Sequence, residues 1–335
     1  MAAPTQHTVQ TYKESHWAPE RHQKITELCA ATAGTTPAVR SLAHYSNGIL
    51  DFVICRSDRA PMSAASADPG TPEQDEALPG SRLLLCAQDL DARLRPLGTG
   101  ELVRTVVAGP GGGLWGGRVK PGEYLAAVAD TSDDVAALDE AMNRLVTRIR
   151  GTVHNLPTEA PGGDESARAD DGAPCPGLRV DLGTGAGQDG PYGQRLRSLL
   201  GTHLSVAGLQ YAAYYRDLRL VCVGDVFDDD DMGPRFIDVS VRARRTAYRE
   251  LTGTLRGHLP RLADALGMVA PPGNHRPPMN RLVLDVQEGA VCFEWPSPRD
   301  LVIGVTLNQL QVGGAEKTLD RLARELHLIS VPPQR

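Results

Sequence analysis

A chain of 335 residues, 41% hydrophobic and 23% charged, has the composition of a globular protein and length for two domains. The net charge of −6 argues against a general nucleic-acid role, which needs a basic footprint, and no apolar run is long enough to span a bilayer. Six scattered cysteines (Cys29, Cys55, Cys86, Cys175, Cys222 and Cys292) include no Cys-x-x-Cys pair, so a zinc knuckle is not expected, and their mostly apolar settings suit a reducing cytosol.

In chain order, residues 1–17 are polar and expected to fray. Met1-Ala-Ala-Pro-Thr-Gln-His7 shows neither the basic nor the apolar region of a secretory signal, which points to a cytoplasmic location. Pro19 to Ala33 reads as a helix, with Ile25, Leu28 and Cys29 on one face and Gly34 ending it. Val39–Tyr45 and Ile49–Cys55 flank Ser46-Asn47-Gly48, a hairpin signal, because a tight two-residue turn wants positive φ at both central positions. Residues 57–80, rich in Ala, Ser, Pro, Asp and Glu, read as a mobile loop. Ser81–Leu97 is a second helix whose apolar face carries Leu83, Leu84, Cys86, Ala87, Leu90 and Leu94.

Three strands follow, Leu102–Val107, Leu114–Val119 and Tyr124–Ala129, and then a helix opened by Asp130-Thr-Ser-Asp133 and stopped by Gly151. Residues 151–177 shift to Pro, Gly, Asp, Glu and Ala and read as a linker. The second half then repeats the order. A helix over Tyr192–Gly201 precedes a hairpin of Leu209–Tyr215 and Leu218–Val223 across Arg216-Asp217. Phe236–Leu266 is helical, with Gly253 and Pro260 expected to bend or divide it, and Met268–Met279 is a loop. Leu282–Val286, Ala290–Trp295 and Leu301–Thr306 are strands, and a helix runs over Gly314–Leu326. Each half reads α-β-β-α-β-β-β-α. Two copies roughly 180 residues apart imply an internal duplication, with domains at 18–150 and 178–330.

That order resembles the roadblock (dynein light chain) family. The residues that carry the resemblance are Val103-Arg-Thr-Val-Val107, the glycine hairpin, Tyr124-Leu-Ala-Ala-Val-Ala129, and the acidic start Asp130–Asp134 before Val135-Ala-Ala-Leu138, which look like actinobacterial members. The resemblance implies an α+β fold with a five-stranded antiparallel sheet per unit. It also implies dimerisation through the long second helices, and docking of small Ras-like GTPases by bacterial members. Two copies on one chain would then form an intramolecular pseudo-dimer. The expected function is a non-enzymatic adaptor or GTPase regulator, or a structural partner in a biosynthetic or secretion assembly, with further self-association open. Neither cofactor nor metal is expected.

Chemistry-bearing motifs are sparse. Arg242, Arg244, Arg245, Arg249 and Arg256 crowd one segment, read as the solvated side of an amphipathic helix or a phosphate-binding patch. Arg242, Arg245 and Arg249 are taken as partner-binding residues. Trp115 and Trp295, on comparable strands, are either packing residues or binding hot spots. Val180-Asp-Leu-Gly-Thr-Gly-Ala-Gly187 resembles the first motif of S-adenosylmethionine-dependent methyltransferases. That alternative would use Asp181, Gly183, Gly185 and Gly187, with Asp225 as the acidic partner. Gly109–Gly113 lacks the Lys-Ser/Thr of a nucleotide loop, Asp228–Asp231 lacks calcium-hand spacing, and the nine histidines show no ligand spacing. His44, inside a strand, reads as a core or interface residue.

Overall fold

A computed structural model describes residues 7–57, 72–157, 159, 161–163, 175–183, 190–269 and 279–330. The elements in chain order are β1 (Val9–Lys13), α1 (Pro19–Thr35), β2 (Ser41–Ser46), β3 (Ile49–Arg56), α2 (Pro72–Leu94), β4 (Leu102–Gly109), β5 (Gly112–Lys120), β6 (Glu123–Ala129) and α3 (Val135–Thr152). Then come β7 (Arg179–Leu182), α4 (Pro191–His203), β8 (Tyr211–Arg216), β9 (Arg219–Asp225), α5 (Val241–Leu255), α6 (Leu259–Gly267), β10 (Arg281–Val286), β11 (Gly289–Ser297), β12 (Asp300–Thr306) and α7 (Val312–Ser330). The chain forms two compact units. One comprises Met1–Ala92, Leu102–Pro161 and Arg256–Met279, and the other Arg93–Glu101, Gly162–Leu255 and Asn280–Arg335.

In the first unit six antiparallel strands run in the order β1-β3-β2-β6-β5-β4. Side chains alternate across a strand, so successive residues of β5 meet opposite layers. A Cβ on Gly113 would strike Val135 of α3, whereas one on Gly116 would strike Leu83 and Leu84 of α2. Helices α1 and α3 pack together on the first face. Helix α2 covers the other, where α6 also packs on β4 and β5 and Asp89 of α2 pairs with Arg261 of α6 at 2.5 Å.

The second unit runs β10-β11-β12-β8-β9-β7. Leu204 and Leu200, at the end of α4, meet Gly224, and Leu319 of α7 meets Gly304, which sets these helices on one face. On the other, Tyr248 of α5 packs on Tyr211 with ring centroids 5.3 Å apart.

The two internal registers coincide. Ser46 stands opposite Glu123, and Arg216 opposite Asp300. The hairpins β2–β3 and β8–β9 slip at corresponding places, between His44 and Tyr45 and between Tyr214 and Tyr215. An Arg–acid pair also recurs, Arg104 with Asp139 in one unit and Arg281 with Glu316 in the other.

Several expectations need correction. Each unit carries six strands, not five, because β1 and β7 are added at the edges. β1 lies in the stretch read as frayed. An edge strand holds by backbone pairing, and its mostly exposed side chains leave little apolar alternation to read. Residues 72–80, read as loop, are the first turns of α2 despite Pro79. Tertiary donors support the backbone there: Tyr45 donates its hydroxyl to the Ala77 carbonyl at 2.9 Å. The second hairpin turns at Asp217 and Leu218, both at positive φ, one residue later than expected. The long helix of the second half divides, as expected of Gly253 and Pro260, but it starts later, at Val241, and Pro260 sits in the first turn of α6, where its missing N–H costs nothing.

Candidate functional site

At one end of the first unit's sheet is a cleft of about 690 Å³. Its walls are the approach to α1 (His16), the first turn of α1 (His22), the β2–β3 hairpin (His44, Ser46, Asp51), the β5–β6 turn (Lys120, Glu123) and the end of α3 (His154). The bulge after His44 and the turn at Gly122 (φ 80°) bring these side chains to one place.

Two buried carboxylates organise it. Asp51 accepts from His44 Nδ1 at 2.8 Å, from Ser46 Oγ at 2.7 Å and from His16 Nε2 at 3.1 Å, and His22 Nε2 lies 3.6 Å away. Glu123 accepts from His154 Nε2 at 2.8 Å and pairs with Lys120 at 3.1 Å, and His44 Nε2 stands 3.3 Å from it, outside hydrogen-bond geometry. Burial alone would raise both acids. The hydrogen bonds from His44 and Ser46 reverse that for Asp51, and the close His44 imidazole together with the hydrogen bond from His154 brings Glu123 down to about 2. Burial opposes a charge on His44, but its bond to Asp51 and the nearby Glu123 carboxylate outweigh burial and raise its pKa.

Neighbouring donors, one backbone and one side chain, fix the tautomers. Ala18 N–H donates to His22 Nδ1 at 3.1 Å, so the His22 proton sits on Nε2. Lys120 donates to His154 Nδ1 at 3.2 Å, which likewise leaves the proton on Nε2. Those Nε2 atoms are donors and have no lone pair for a metal. Among the described residues, no group of three His, Cys, Asp or Glu side chains is placed to hold one.

The second unit builds a counterpart at the same register. Tyr214, in the place of His44, donates to Asp300 at 2.8 Å, and Asp300, in the place of Glu123, also pairs with His327 of α7 at 2.8 Å. Burial would raise Asp300, but bonds from Ser297, His327 and Tyr214 hold it below the usual carboxylate range.

The sequence-derived residues fall elsewhere. Arg245 grips Asp225 with two bonds, at 2.9 and 2.6 Å, and reaches Asp228 at 2.6 Å. Arg249 pairs with Asp181, and Arg242 is exposed with no ion pair among the described residues. Two of the three proposed partner arginines are therefore bound to the two acids of the methyltransferase alternative. That alternative fails on topology as well. Strand β7 is a sheet edge antiparallel to β9, not the first strand of a parallel βα crossover. Gly183 continues that ladder, its N–H 2.7 Å from the Val221 carbonyl, and a Cβ there would lie 2.0 Å from the Leu220 oxygen. The glycine serves strand pairing. Gly185 and Gly187 lie outside the described residues.

Trp115 is fully buried, and its indole N–H donates to Asp139 at 3.0 Å. Trp295 is half-buried and stacks on Phe293, but the shared register sets Cys292, not Trp295, at the place of Trp115. Sequence reasoning missed His16, His22, Asp51, Glu123 and His154. One signal was present: Asp51 interrupts the otherwise apolar run Ile49–Ile54.

No family model matches the chain, and no curated relative does. Among solved structures it is similar to one described as "MglB with tetrameric arrangement", at 14% identity and a TM-score of 0.30, over 44% of this chain and 98% of that one. That degree of likeness fixes neither partner nor chemistry.

Proposed function

We propose that the chain is a tandem repeat of one roadblock-like module, from residues 18–150 and 178–330, and acts as a non-enzymatic adaptor or regulator of a small Ras-like GTPase. The observation that carries the reading is the shared register, down to the matching bulge after His44 and after Tyr214. An antiparallel sheet packed with helices is what the sequence resemblance implies for each such module. The resemblance also implies that modules act in pairs, so the chain works as an intramolecular pseudo-dimer. The partner meets exposed Arg242 and the neighbouring Arg249 and Arg245, with half-buried Trp295 as a second contact.

A regulator must bind one nucleotide state more tightly than the other, or it shifts nothing. The test is calorimetry of the full chain against purified bacterial small GTPases loaded with GDP or with a non-hydrolysable GTP analogue. The expected result is roughly tenfold preference for one state, equivalent to about 1.4 kcal/mol, and weaker binding by R242E/R249E. Equal affinity for both states, or none for either, sinks the proposal, as does tight binding of S-adenosylmethionine.

A further inference from the structure

His44 is 1% exposed, yet it links parts of the first unit that are distant in sequence. Through Asp51 it reaches β3, Ser46 of its own strand, His16 and His22 of α1. Through Glu123 it reaches β6, Lys120 of the β5–β6 turn and His154 at the end of α3. Glu20 and Arg21 of α1 also line the cleft. Cys29 of α1 also faces Glu123, but burial pushes its thiol far up, so it stays neutral.

The charge balance of this buried group depends on His44. Among the described residues, Lys120 is the one lysine or arginine paired with the anions Asp51 and Glu123. An imidazolium at His44 brings two positive charges against two negative. Without it a carboxylate is left buried and under-compensated, which is costly in a low-dielectric interior. We propose that His44 is a proton-linked latch: as an imidazolium it ties the β2–β3 hairpin, the β5–β6 turn and the end of α3 together, and on losing its proton it lets the cleft between them open. The second unit carries no such latch at this register. Tyr214 stands there, and burial raises its hydroxyl's pKa, so it stays a donor to Asp300.

The direction follows from linkage. A histidine whose folded pKa is raised contributes its full stabilisation below its unfolded value, about 6.5. That contribution is lost as pH rises through the folded value. Between those two values the opening constant rises up to roughly tenfold per pH unit for one proton, and above the folded value it levels off. At the acid end Asp51 and Glu123, both depressed, hold the cluster until pH falls through their folded values.

The test is an NMR titration of the His44 Cε1–H in the full chain, with amide exchange of β2 and β6 followed from about pH 6 to about pH 9 after correction for intrinsic exchange. The expected midpoint for His44 lies above those of the exposed histidines, and opening of β2 and β6 grows with pH. In His44→Gln the opening is flat over that range. Glu123→Gln, which keeps the imidazole, lowers the His44 midpoint. A His44 midpoint at or below that of exposed His16, or parallel opening profiles in wild type and His44→Gln, overturns the proposal. If His44→Gln does not fold, an unmoved midpoint in Glu123→Gln overturns it instead.

Discussion

Leu218 has φ 63° at the tip of the β8–β9 hairpin and is 87% exposed. A side chain in the left-handed region sets its Cβ against its own backbone, at about 1–2 kcal/mol. The first unit solves the same turn with Asn47-Gly48, at φ 51° and 81°, where glycine carries no such penalty. Leu218→Gly relieves strain in the fold but frees the unfolded chain, and the first effect is the larger. We expect stabilisation of about 1 kcal/mol or somewhat less, read as a higher denaturant midpoint with an unchanged slope. A lower midpoint would show that Leu218 packs on something that offsets its strain. At the same scale, Glu294 on β11 is pushed up to about 8 by burial, which nearby Asp320 and Glu316 reinforce and Arg281 only partly counters. It therefore holds its proton to a higher pH than an exposed glutamate does, which no one-dimensional pattern reveals.

Helix α2 shows how an element can contradict its own composition. Pro79-Gly80 is a breaker pair in a polar stretch, and local propensity reads it as loop. The helix runs through it because Gly80 lets α2 approach β6 closely. A Cβ at Gly80 would lie 2.7 Å from the Ala126 Cβ. Gly80→Ala gains about 1 kcal/mol of helix propensity but overpacks this contact at about 1–3 kcal/mol, so net destabilisation is expected. Ala126→Gly removes the clashing atom. A double-mutant cycle should show the two changes coupled by at least about 1 kcal/mol. Strict additivity in thermal or denaturant melts would mean the helix does not seat on Ala126. The hairpins, by contrast, were legible. Val39–Cys55 announces itself through apolar strands around Asn-Gly, and β4, β5 and β6 fall within two residues of their expected bounds, because their turns are local chemistry.

For the whole molecule, the compact units do not coincide with the sequence halves. Arg256–Met279 belongs with the first unit, where α6 buries Leu262 and Leu266 completely. Burying two such leucines stabilises by about 3–6 kcal/mol. A fragment of residues 1–177 lacks that layer. Amide exchange should find β4 and β5 less protected in it than in the full chain, and adding a peptide of residues 256–279 should restore part of the loss. Equal protection without the peptide would show that α6 contributes nothing to that face.

By itself the sequence determined the elements: the strand hairpins, the long last helix of each half and the repeated order all follow from periodicity and turn chemistry between near neighbours. Tertiary structure alone decided the edge strands β1 and β7, the helix through Pro79, and the cluster of His16, His22, His44, Asp51, Glu123 and His154. Backbone pairing at an edge and the convergence of side chains more than a hundred residues apart leave almost no local trace, since each depends on where another stretch of chain arrives in space.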